Sequence, residues 1–142
     1  MSIQTKRMPV VYIAGPFRGP SSWAIEQNIR RAETLALKVW KMGAAVICPH
    51  ANTRFFQGEG EDDIWLQGDL EMIRRVNAIL MTNDWQRSSG ARDELEFANE
   101  LQIPAFFESY DDELDGLAEF IASWVPASLP TSTHADEPYP VL

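Results

Sequence analysis

The strongest constraint on this chain is the order in which two apolar patterns follow one another. Short runs that are apolar at every position alternate with longer segments whose apolar residues recur every three or four positions. Pro9–Ala14 (Pro-Val-Val-Tyr-Ile-Ala) is the first run, and Gly15-Pro16 stops it. Ser21 or Ser22 then offers an N-cap, and Ile25, Ile29, Ala32, Ala36, Val39 and Trp40 keep helical spacing up to the stop at Gly43. Ala44–Cys48, Ala78–Thr82 and Ile103–Phe107 repeat the strand pattern, while Ile64–Val76, Ala91–Leu101 and Asp111–Trp124 repeat the helical one. A strand without polar alternation is covered on both faces, which a parallel sheet achieves through its crossover helices. The predicted fold is therefore α/β: a Rossmann-like or flavodoxin-like parallel sheet of four to five strands with helices on both faces.

One such unit is all that 142 residues provide. A hydrophobic fraction of 45% supplies enough apolar surface for one core. The expected domain spans 1–125. The tail, 126–142, carries Pro126, Pro130, Pro138 and Pro140 among polar residues, a composition that does not pack, and flexibility is expected there. The stretch Asn52–Asp63, with Gly58 and Gly60, has no periodicity and is expected to be a mobile loop. A net charge of -9 repels a polyanion, so duplex nucleic acid is not an expected partner. Cys48 is the only cysteine, and the first residues lack the apolar run of a signal peptide. A cytoplasmic setting is expected, without membrane insertion, because no apolar run approaches the roughly 18 residues that spanning requires.

Two carboxylates stand on faces where the pattern calls for apolar residues. In Ile64–Val76 the apolar arc is Trp65, Leu66, Leu70, Ile73 and Val76, and Asp69 falls inside it. Asp69 either turns its oxygens to solvent at the edge of the stripe or lines a cavity. In Ala91–Leu101 the arc is Ala91, Leu95, Ala98 and Leu101, with Glu94 inside it and Asp93, Glu96 and Glu100 pointing away. Parallel sheets bind ligands beyond the carboxyl ends of their strands. Gly15 to Gly19, His50, Asn83, Asp84 and Ser88-Ser89-Gly90 all fall at that edge. Ser88-Ser89-Gly90 precedes a helix and reads either as a plain N-cap or as a small anion site. His50 is either structural or a contact to the ligand, and Cys48, His50 and His134 do not compose a metal site. No metal and no cofactor are expected.

With these residues in view, the sequence resembles the nucleoside 2-deoxyribosyltransferase superfamily, and within it the 2'-deoxynucleoside 5'-monophosphate N-glycosidases. The resemblance runs from about Val10 to Phe107. It is carried by Val11-Tyr12-Ile13-Ala14-Gly15-Pro16-Phe17-Arg18-Gly19, by Gln67-Gly68-Asp69-Leu70, and by Ser88-Ser89-Gly90-Ala91-Arg92-Asp93-Glu94-Leu95 with Ala98 following. The resemblance implies that Glu94 is a nucleophile attacking the anomeric carbon, and that Asp69 holds the substrate and manages the proton of the departing base. It further implies that Tyr12 orients the nucleophile and that Ser88 receives a 5'-phosphate. Gly15, Phe17, Arg18 and Gly19 match the first-turn binding loop. Taken alone, Tyr12 reads first as a core aromatic with a satisfied hydroxyl. The implied partner is a small nucleoside or nucleotide, and the implied assembly is a homodimer or larger homo-oligomer.

The sequence also departs from the family pattern. Glu96 stands where a glycine is usual, the loop Asn83–Gly90 with Trp85, Gln86 and Arg87 is longer, and no segment after Phe107 matches the one that lends a serine to a neighbouring subunit. Phe17, Trp85 and Phe55-Phe56 are the candidates for sandwiching a nucleobase. The readings in competition are hydrolysis of the glycosidic bond, transfer of the sugar to a second base, and a nucleotide-binding module without turnover. A cytokinin-activating type of phosphoribohydrolase is more distant, because its doubled-glycine approach to the glutamate is missing.

Overall fold

The computed structural model describes residues 2–111 and 114–127. The expected tail falls outside these residues from 128 onward. Four strands form one parallel sheet in the order β2-β1-β3-β4: β1 Val10–Ala14, β2 Ala45–Ile47, β3 Ala78–Met81 and β4 Ala105–Phe107. The helices are α1 (Ser22–Lys41), α2 (Pro49–Asn52), α3 (Asp62–Ile73), α4 (Ser89–Glu100) and α5 (Asp115–Ser123). The strand order reverses direction at β1, which leaves a crevice between the ends of β1 and β3.

The pleat of β1 divides the core in two. Val11 and Ile13 pack with Ala32, Leu35, Ala36 and Val39 of α1 and with Leu117 and Ile121 of α5. Tyr12 and Ala14 face the other way, toward Ile73 of α3 and Ala91 and Ala98 of α4. Successive strand residues point to opposite faces, so Tyr12 is delivered to the side that carries Asp69 and Glu94. β1 and β3 are buried throughout except at Val10, which agrees with strands covered on both faces.

The helix ends have local causes. Ser21 Oγ accepts from Ala24 N to cap α1, and Gly43, at φ 101°, lets the chain leave it. α3 begins two residues before the periodicity suggests, with Asp62 and Asp63 against its positive end, and it stops before Val76, which packs from outside the helix. α5 begins at Asp115 rather than Asp111. Asp111 instead accepts from the amides of Asp115 and Gly116 and caps the helix from a distance.

Two short elements carry no periodic signal. Pro49 sits in the first turn of α2, where a proline is pre-set for a helical start, so the chain turns there instead of passing directly into a loop. Trp85–Arg87 forms a single 3-10 turn inside the loop expected after β3. Beyond α2 the chain proceeds through hydrogen-bonded turns, Phe56 N to Thr53 O and Glu59 N to Phe56 O. Among the described residues no helix is long and apolar enough to cross a membrane.

Candidate active site

The crevice at the carboxyl edge opens into a cavity of about 590 Å³. Its lining comes from three of the four segments that leave the sheet there: Gly15–Arg18 after β1, Pro49 and His50 after β2, and Arg87–Gly90 after β3, leading into α4. α3 closes the remaining wall with Asp62, Asp63, Trp65, Leu66 and Asp69.

Glu94 lies on this cavity and is 7% exposed. Its position on α4 is one turn past Ala91 and one before Ala98, both packed against the sheet, so the carboxyl is drawn inward with them. Burial pushes its pKa up to about 8, and the neighbouring Asp69 and Asp93 add to the rise while the Tyr12 hydroxyl opposes it. Glu94 Oε2 and the Tyr12 hydroxyl are both sealed from solvent, and neither meets ordinary hydrogen-bond geometry with another group among the described residues. The hydroxyl nevertheless lies near enough to favour the ionised carboxylate. A buried carboxylate oxygen without a partner costs on the order of 1–3 kcal/mol, a cost that a ligand in the cavity would relieve. Tyr12 itself is 0% exposed and sits beneath the lining rather than in it, its own ionisation driven well upward by burial and the two carboxylates.

Asp69 lines the cavity, half-buried, with its pKa raised by burial to about 6. Of the two readings left open by the sequence, the cavity-lining one describes its position. Asp93 departs from expectation: instead of pointing away it stands exposed on the rim. It precedes Glu94 by only one position, and the cavity is wide enough at the start of α4 to reach both.

His50 is 4% exposed, and its Nε2 lies 3.1 Å from the Gly15 carbonyl oxygen and 3.0 Å from that of Pro16. Two carbonyl acceptors fix the proton on Nε2. The ring thus staples the loop after β1 while one face lines the cavity, and burial holds its pKa below the usual value. Cys48 Sγ lies 4.0 Å from His50 Nδ1, with its thiol pushed up to about 11 by burial, which keeps it out of nucleophilic chemistry. Among the described residues, no three His, Cys, Asp or Glu side chains gather as a metal site.

The remaining predicted residues divide. Gly15, Phe17, Arg18, Ser88 and Gly90 line the cavity, whereas Gly19 and Asn83 do not. Gly15 is sterically required, since a Cβ there would fall 2.2 Å from Thr82 Oγ1. Gly19 instead packs against α1, where a Cβ would meet Ala24 at 2.6 Å, and the Asn83 amide donates to Glu108 Oε1 at 2.9 Å. Ser88 is the α4 N-cap, accepting from Ala91 N at 3.1 Å while its side chain borders the cavity. Arg18 is paired with Asp62 across the cavity wall.

Among the aromatic candidates Phe17 lines the cavity, while Trp85 packs on Phe107 with ring centroids 5.8 Å apart. Phe55 lies out on the surface at 82% exposure. Trp65, which the periodicity placed in the apolar stripe, is the second aromatic of the cavity, backed by Phe56 at 5.5 Å. Asp62, Asp63 and Gln57 were not singled out from the sequence, and their signal is only that they flank the start of α3.

A family model described as "Domain of unknown function (DUF4406)" matches residues 9–107, the span that holds all four strands and both carboxylates. The chain belongs to the DUF4406 family. The DUF4406 fold resembles a solved 2-deoxyribosyltransferase from the psychrotolerant bacterium Bacillus psychrosaccharolyticus. That likeness has a TM-score of 0.52 at 20% identity, covering 69% of this chain and 70% of that one. It establishes the four-stranded α/β architecture for the DUF4406 chain. No curated protein sequence matches it.

Proposed function

We propose that this protein is an N-glycosidase that cleaves the bond between nucleobase and sugar of a deoxynucleoside 5'-monophosphate. The observation that carries the reading is Glu94: a sealed carboxyl with an unpartnered oxygen on a cavity that also holds Asp69, with Tyr12 beneath. Cleaving a glycosidic bond passes through an oxocarbenium-like state, which a carboxylate is suited to stabilise or trap. A Glu94 oxygen forms a bond to the anomeric carbon as the bond to the base nitrogen breaks, and the electron pair leaves with the base. Asp69, with its proton held to a pKa of about 6, supplies the proton that the base requires. Water then attacks the anomeric carbon, its proton returns to Asp69, and the ester to Glu94 is released.

The fold neighbour is a 2-deoxyribosyltransferase, described as a biocatalyst for nucleoside synthesis, which supports N-glycosyl chemistry of this kind. Transfer to a second base uses the same covalent species with a different acceptor and is the second reading. The deciding experiment measures free-base release from the common deoxynucleosides and their 5'-monophosphates, with and without an added acceptor base. Release that disappears in Glu94→Ala supports the proposal. Release unchanged in that variant, or tight binding without any product, removes it. Formation of an exchanged nucleoside selects transfer over hydrolysis.

A further inference from the structure

Asp84, just past β3, joins three groups from different elements. Its Oδ2 accepts from Arg31 Nη1 of α1 at 2.5 Å and from Arg87 Nη2 at 2.8 Å, while its Oδ1 accepts from Thr82 Oγ1 at 3.1 Å. The Asp84 side chain is 16% exposed and Arg87 is 69% exposed, so the anchor is sheltered and the arginine is presented. The turn between them is fixed as well. Trp85 packs on Phe107, and Arg92 Nη1 donates to the Gln86 carbonyl at 2.5 Å.

The charges around the cavity give this cluster its meaning. Among the described residues, Asp62, Asp63, Asp69, Asp93 and Glu94 line the cavity against only Arg18 and Arg87. Arg18 is neutralised by Asp62. Arg87 is not neutralised in the same way, because a single Asp84 carboxylate is shared with a second guanidinium and the cluster keeps a net positive charge. Arg87 stands beside Ser88, Ser89 and Gly90 on the lining, on the segment that leads into α4, whereas Arg18 and Asp62 come from the loop after β1 and the start of α3.

We infer that Arg87 is the cation that reads the phosphate of the substrate and that Asp84 is a positioning residue which holds it in place. This rests on the nucleotide reading of the cavity and assigns the anion to Arg87 rather than to Arg18. Asp84 acts by restricting the guanidinium to the cavity rim, so less side-chain freedom is lost when phosphate binds.

The test compares deoxynucleoside 5'-monophosphates with their parent nucleosides. Arg87→Met raises KM for the monophosphate roughly ten- to hundredfold, the range of a charge-assisted hydrogen bond, and leaves kcat and the parent nucleoside nearly unaffected. Asp84→Asn raises the same KM by a smaller factor. If Asp84 served only to neutralise Arg87, its removal would lower that KM, and such a fall overturns the positioning role. An equal effect of Arg87→Met on monophosphate and nucleoside, or no effect on either, overturns the assignment of Arg87. If the wild type releases no base from any substrate, the glycosidase reading fails by itself. Calorimetric titration with the same two ligand sets then decides the anion site: preference for monophosphate lost in Arg87→Met supports it, and no such preference overturns it.

Discussion

Glu94 is held in a place that opposes its own ionisation, and Asp69 shares the problem in milder form. With pKa values pushed to about 8 and about 6, the two carboxyls hold a single proton between them over the interval that separates those values. The productive arrangement, Glu94 ionised and Asp69 protonated, is the minor tautomer of that singly protonated state, because Glu94 with the higher pKa holds the proton most of the time. Base release measured as kcat/KM is therefore expected to follow a bell, falling below about 6 as both become protonated and above about 8 as both ionise. A flat profile across this range would sink the pair as the acting groups. Tyr12 biases the pair toward ionised Glu94, so Tyr12→Phe is expected to lower kcat by about 10- to 100-fold, the range for loss of a polar group that favours a charge, and to move the alkaline limb upward. A loss of rate without movement of that limb would make Tyr12 a packing residue only.

At the scale of elements, the loop after β1 is set by close contacts rather than by its own flexibility. Gly15 touches Thr82 at the neighbouring strand end, and His50 ties the carbonyls of Gly15 and Pro16. Gly15→Ala is expected to destabilise the fold by about 1–3 kcal/mol, the range for overpacking, which a shift in thermal midpoint would register. An unchanged midpoint would mean that Thr82 gives way freely. Strands and long helices were legible because their apolar periods differ, and the two inward carboxylates were legible as interruptions of those periods. α2 and the turn at Trp85–Arg87 were not, since one helical turn is shorter than any period that reveals it. Asp93 shows the same limit from another side: a rim position depends on cavity width, which a helical wheel does not contain.

The whole molecule carries the cost of the site in its pH dependence. The folded state binds the Glu94 proton more tightly than the unfolded chain, so this contribution to stability is complete below the ordinary value of 4.5 and is lost as pH rises toward about 8. Asp69 acts in the same direction over a lower window, from 3.8 to about 6. His50 runs oppositely: its pKa is lowered by burial, so its contribution is present above 6.5 and declines as pH falls below it. Glu94→Gln keeps the shape of the protonated side chain and removes its titration. The thermal midpoint of this variant is expected to exceed that of the wild type by more at about pH 8 than at about pH 5, and an equal difference at both would contradict burial as the cause of the raised pKa.

The sequence by itself determined the parallel α/β architecture, because a strand apolar at every position has no stable place except between two layers of helix. It also marked Glu94 as turned inward, since helical spacing ties it to apolar neighbours that must be buried, while for Asp69 it left solvent and cavity both open. Only the tertiary structure decided which of the edge residues share a cavity. Trp65 and Arg87 line the same cavity as Glu94, while Gly19 and Asn83 are taken up by contacts elsewhere. Those outcomes depend on distances between segments far apart in the chain, and on which partner reaches each polar group first. No local period records that competition. The sharing of Asp84 between Arg31 and Arg87, across 53 and 3 positions of sequence, is set in the same way.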